Sequence, residues 1–75
     1  MSMEWNNSTY PKPLRFDVGC KVSWYTYQTE EEAKAVSAIA QKEAVKLAQE
    51  GFDFGYCWPG DIRKEDDGAW TVTIP

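Results

Sequence analysis

The sequence predicts an α+β domain: a two-layer β-α-β-β sandwich in which one long, Ala-rich helix lies on a three-stranded, mainly antiparallel sheet. Three observations carry this. Apolar and polar residues alternate over residues 14–28, helical spacing follows over 29–50, and alternation returns over 52–58 and 70–74. The chain of 75 residues makes one domain, residues 14–75, preceded by an arm of residues 1–13. A chain this short buries only about 60% of the surface its unfolded form exposes. Small domains compensate with disulfides, metals or self-association.

The arm is polar and stiffened at its end by Pro11 and Pro13. It also carries Trp5 and Tyr10, rings that a purely solvated tail rarely needs. Both are expected to dock on the domain or on a neighbouring subunit.

Residues 14–28 read as one long strand. Phe16, Val18, Cys20, Val22 and Trp24 form the set expected to face the helix, alternating with Arg15, Asp17, Gly19, Lys21 and Ser23. Tyr25 and Tyr27 fall on the outer face by this parity. Gly19, in mid-strand, marks a bulge or a close backbone approach.

Thr29-Glu30-Glu31-Glu32 is a capping box, and its acids suit the positive end of the helix dipole. Gly51 supplies the left-handed residue that ends the helix. Ala33, Val36, Ile39, Ala40, Ala44, Leu47 and Ala48 gather on one face. Its small side chains let the helix sit close to a sheet whose aromatics supply bulk. Ala38 and Val45 lie off this face, as exposed residues of no consequence or as a homodimer contact.

Phe52, Phe54, Tyr56 and Trp58 are expected on one face of a second strand, stopped by Pro59-Gly60. Asp67-Gly68 marks a hairpin turn, and Trp70, Val72 and Ile74 alternate with Thr71 and Thr73 in a last strand. One helix covers one sheet face. The other face, carrying Lys21, Tyr25, Tyr27, Thr71 and Thr73, is too aromatic to be merely wet. It calls for a second subunit, the arm or a ligand.

The net charge of −4 lacks the basic footprint of a duplex-DNA binder. Residues 1–20 lack a signal-peptide pattern, and no stretch approaches a membrane span, so a cytoplasmic protein is expected. Asn6 and Asn7 each begin a glycosylation triplet, read as chance without a secretory signal. Cys20 and Cys57 fall on opposite sheet faces by parity, so two free thiols are expected. With no His in the chain, neither a Cys–His nucleophile nor a common zinc site is available. No phosphate loop or nucleophile elbow appears. No cofactor, metal or catalytic residue is expected, and the chain reads as a non-enzyme.

Binding is better supported, because Tyr and Trp are the usual anchors of binding surfaces and the chain has four of each. Residues 56–64 join Tyr56, Trp58, Gly60, Arg63 and Lys64 in one stretch. A base could stack on Tyr56 or Trp58, and a phosphate could meet Arg63, Lys64 or the backbone N–H groups near Gly60. The competing reading is a core strand ending in an ordinary turn.

In size, acidity, aromatic content and lack of catalytic motifs, with residues 54–60 as the diagnostic stretch, the chain resembles small phage-encoded counter-defence proteins. The resemblance is one of type and transfers no site. It implies a homo-oligomer that sequesters a nucleotide-type immune signal. The candidate binding set, read from the outer sheet face and residues 56–64 themselves, is Tyr25, Tyr27, Tyr56, Trp58, Gly60, Arg63 and Lys64. Trp5, Tyr10, Ala38 and Val45 are the candidate oligomer contacts. Alternatives are an inhibitor that blocks a host defence protein by direct contact, using acidic clusters against a basic surface, and a structural or assembly component.

Overall fold

A computed structural model describes residues 9–55 and 57–75. The order is β-β-α-β-β: β1 (Arg15–Val18), β2 (Ser23–Tyr27), α1 (Glu30–Gln49), β3 (Ile62–Lys64) and β4 (Trp70–Ile74). All pairings are antiparallel, in one four-stranded sheet ordered β1-β2-β4-β3. The α+β class holds; the three-stranded β-α-β-β order does not.

The difference starts at Gly19. The long first strand is a hairpin, closed by the Gly19 N–H donating to the Val22 carbonyl at 2.8 Å. A Cβ on residue 19 would lie 2.9 Å from both the Trp24 ring and the Val22 carbonyl oxygen, so only glycine fits this close approach. The reversal spends residues 19–22 on a turn, so Cys20 is an exposed turn residue and not a helix-facing one.

It also resets the parity of β2, contrary to a reading that carries one alternation through residues 14–28. Tyr25 and Tyr27 pair with Val72 and Trp70 and face the helix, while Trp24 and Thr26 pair with Thr73 and Thr71 on the outer face. Tyr27 is buried and Tyr25 packs half-buried beside it, against a core of Val36, Ala40, Val72 and Ile74.

The helix forms where expected. The Thr29 hydroxyl accepts from the Glu32 N–H at 3.2 Å and donates to the Glu32 carboxylate at 3.0 Å. Gly51 adopts φ 97° just past its end. Ala33, Val36, Ala40 and Ala44 are fully buried; Ile39 and Leu47 are half-buried, and Ala48 is exposed. Ser37, a polar residue inside the expected apolar stripe, is also buried, with its hydroxyl donating to the Gly60 carbonyl.

The strand expected over 52–58 is a loop. Asp53 turns back to accept the Gly55 N–H at 2.8 Å, and Gly55 takes φ 67°, outside the range of regular extended strand. The aromatic alternation builds a local stack instead: Phe52 on Phe54 at 4.6 Å and Phe54 edge-on to Trp58 at 5.6 Å. Phe54 is buried with Val22 and Ala44 in a second, smaller cluster. Tyr56 lies outside the described residues. The turn at Asp67-Gly68 forms as expected, with the Glu65 N–H donating to the Ala69 carbonyl at 2.8 Å.

The end of the arm docks on its own domain. Tyr10 is buried, its hydroxyl donates to Glu43 at 2.8 Å, and its ring meets Tyr25 edge-on at 5.7 Å. The Tyr27 hydroxyl donates to the Pro11 carbonyl at 2.9 Å. Burial raises both phenols well above their ordinary 10.0, with Glu43 adding to the effect at Tyr10 and Tyr25 to that at Tyr27.

A raised folded pKa favours the protonated phenol, so this stability is complete below pH 10.0 and is lost as pH rises beyond it. Chemical denaturation along an alkaline series is expected to show stability flat up to about pH 10 and falling above it. Tyr10→Phe is expected to shallow the fall; an unchanged slope would place the titration elsewhere.

Candidate functional site

The sheet face turned away from α1 is a shallow trough floored by two transverse rows. The strand registers align Arg15, Thr26, Thr71 and Arg63 across β1, β2, β4 and β3. The adjacent row holds Asp17, Trp24 and Thr73, and ends at Asp61, whose carbonyl accepts the Thr73 N–H at 3.0 Å. Threonine suits this position because its branched carbon fits the pleat while its hydroxyl stays available to polar neighbours.

These residues, with Glu65, line a cavity of about 400 Å³. A more open depression of about 550 Å³ shares Trp24, Asp61, Arg63 and Thr73 with it and continues onto Trp58, Pro59, Gly60 and Gln41. The two form one groove, running from β1 to the loop before β3.

The floor is a fixed hydrogen-bonded chain. The Thr26 and Thr71 hydroxyls bond at 2.8 Å, and Thr71 donates to Glu65 at 2.6 Å. At one end Arg15 pairs with Asp67 at 3.0 Å, both side chains about half exposed. At the other, Arg63 is exposed and has no ion-pair partner among the described residues. Arg63 is therefore the available cation. Trp58, 53% exposed, and the half-buried Trp24 provide aromatic surface on the same groove.

The expected binding residues separate. Trp58, Gly60 and Arg63 line the groove. Tyr25 and Tyr27 do not, because the Gly19 turn sends them into the core. Lys64 alternates to the helix side, where its ammonium sits 5.6 Å from the centre of the Trp70 ring. Gly60 offers no anion-binding N–H: it donates to the Thr73 carbonyl at 2.7 Å. Its φ of 96° and the closeness of the Gln41 side chain make it a structural glycine.

Of the expected oligomer contacts, Tyr10 is buried in its own domain, which removes it from the exposed surface. Ala38 and Val45 are exposed on the helix, and Trp5 lies outside the described residues. Arg15, Asp17, Trp24 and Thr26 are groove residues that sequence reasoning missed. The alternation already sets Arg15 and Asp17 away from the helix; the Gly19 hairpin is the signal that would have placed Trp24 and Thr26 beside them.

Among the described residues no cluster of His, Cys, Asp or Glu could hold a metal, and no helix is long and apolar enough to cross a membrane. Cys20 and Cys57 are free and exposed. Asp67 is held below its ordinary carboxylate value, chiefly by the Ala69 N–H, then by Arg15.

A depressed folded pKa gives stability that is present above the ordinary value of 3.8 and lost as pH falls through the lower folded value. Carbon-detected NMR titration is expected to place the Asp67 midpoint below 3.8. Arg15→Ala is expected to move it part of the way back, the Ala69 bond remaining; no movement would mean that the ion pair is absent in solution.

No protein-family model, curated protein or solved structure matches the chain.

Proposed function

We propose that the protein is a non-catalytic binder that captures a small nucleotide-type ligand in the outer-face groove. The observation that carries this reading is the convergence of Arg63, Trp24 and Trp58 on one groove. A nucleotide presents an anion, a flat π-surface and sugar hydroxyls. Arg63 meets the phosphate, Trp24 and Trp58 offer the aromatic face, and Asp17 and Asp61 accept from hydroxyl or amino groups. Acid–base chemistry would need a carboxyl or other group tuned in a water-excluding cleft, and this groove is open. Sequestration of a nucleotide immune signal in a host cytoplasm, as a phage counter-defence protein does, is the biological role that fits such a site.

A second reading, direct blockade of a basic host protein, is favoured by one observation: Asp17, Asp61, Asp66 and Asp67 are all exposed. Complexes of that kind weaken steeply with salt.

The test is tryptophan fluorescence and calorimetry with a panel of nucleoside mono- and diphosphates and dinucleotides. Quenching with saturation is expected, and Arg63→Ala or Trp58→Ala is expected to weaken binding about tenfold or more. Both side chains are exposed, so melting temperatures are expected to hold. Wild-type affinity in both variants, or no binding across the panel, would overturn the nucleotide reading.

A further inference from the structure

We infer that β1 is the edge at which two copies of the chain join, strand to strand, into one continuous antiparallel sheet. α1 packs on β2, β3 and β4 and does not reach β1. The helix therefore does not cover that side of β1: Val18 is 75% exposed, Leu14 just before the strand 60%, and Phe16, edge-on to the Tyr25 ring at 6.2 Å, still 45%. Among the described residues β1 is one of the sheet's two outer strands and pairs only with β2. An edge with an apolar face invites another strand.

The occupant is a second copy because the strand is complementary to itself. Antiparallel pairing about a two-fold axis at Phe16 sets Arg15 opposite Asp17 of the second copy, and Asp17 opposite its Arg15. Both ion pairs fall on the groove side. On the helix side the same register sets Leu14 opposite Val18 and Phe16 opposite Phe16.

Neighbouring registers that keep both helices on one side of the sheet are centred on Arg15 or on Asp17. Each brings like charges face to face. A one-residue slip would turn one copy over and set Phe16 against Asp17. Charge and polarity thus select a single register. Asp17, without a partner among the described residues, gains one, and Arg15 can hold Asp67 and the second copy's Asp17 with different nitrogens.

The joined sheet would run the two grooves end to end through the two-fold axis. That consequence rests on the groove being the binding site; the dimer does not.

Sedimentation or light scattering without ligand, across roughly 1 µM to 1 mM, is expected to show a monomer–dimer equilibrium. R15D sets two acids against Asp17, and D17R sets two cations against Arg15. Each alone is expected to weaken the dimer about tenfold or more. Mixed in equal amounts they are expected to restore it, because every cross-pair in the mixture is Asp against Arg. Val18→Lys is expected to weaken the dimer without touching either charge, which keeps the test open if R15D disturbs the Asp67 pair and the fold. A wild-type protein that stays monomeric overturns the proposal. So do D17R and Val18→Lys variants that dimerise like wild type, or a mixture of folded R15D and D17R that stays monomeric. Ligand titration of the same samples reads the groove separately.

Discussion

The hydrogen bond from Gly19 to the Val22 carbonyl, and the tight reversal it closes, is the constraint on which the rest of the molecule depends. It converts one run of alternating residues into two strands. It also decides which side chains of β2 meet the helix. With the chain turned there, Tyr25 and Tyr27 supply the bulk that an Ala-rich helix face cannot, and α1 can approach the sheet closely. The same turn sends Trp24 and Thr26 to the opposite face. Core and groove are two sides of one decision about parity.

A single helix on four strands leaves two surfaces to be explained: the outer sheet face and the helix side of β1. The protein treats them differently. On the outer face, threonines hydrogen-bonded to one another and to Glu65 satisfy the floor, and charged residues of β1 and β3 stand along its sides. On the helix side of β1 the exposed residues are aliphatic and aromatic, and α1 does not cover them. A polar trough suits a small ligand, and an apolar strand edge suits a protein surface.

Much of this was legible in the sequence, and the exceptions share a cause. Helix α1 could be read nearly to the residue, because caps and 3.6-residue spacing are local signals: Thr29, Glu32 and Gly51 do what their chemistry dictates. The last strand and its Asp67-Gly68 turn were equally local. The failures came from period-two patterns, which record alternation without saying whether a strand is present. Residues 52–58 alternate strictly, yet Asp53 and Gly55 bend them into a loop whose aromatics stack on one another. Residues 14–28 alternate through a hairpin, so the parity inferred from Phe16 was wrong by the time it reached Trp24. At the site, Trp58 and Arg63 were readable from the clustering of aromatic and cationic residues over 56–64. Arg15, Asp17, Trp24 and Thr26 were not, because only the strand registers bring them into the same rows.

Gly60 carries a further consequence. Its N–H is held by Thr73 of β4 and its carbonyl by Ser37 of α1, so the loop before β3 is fastened to both layers at one residue. Helix and sheet cannot part without releasing that loop. The groove wall at Pro59 and Gly60 therefore opens only when the two layers separate, and its amide is expected to exchange with solvent as slowly as the core. Among the described residues, the stretch 52–58 has no such hydrogen bond to the sheet, and Trp58 rests on Phe54 alone among the described rings. A ligand would meet one side of the groove already in place and another free to close on it, so the entropy of ordering falls on a single aromatic side chain and not on the floor.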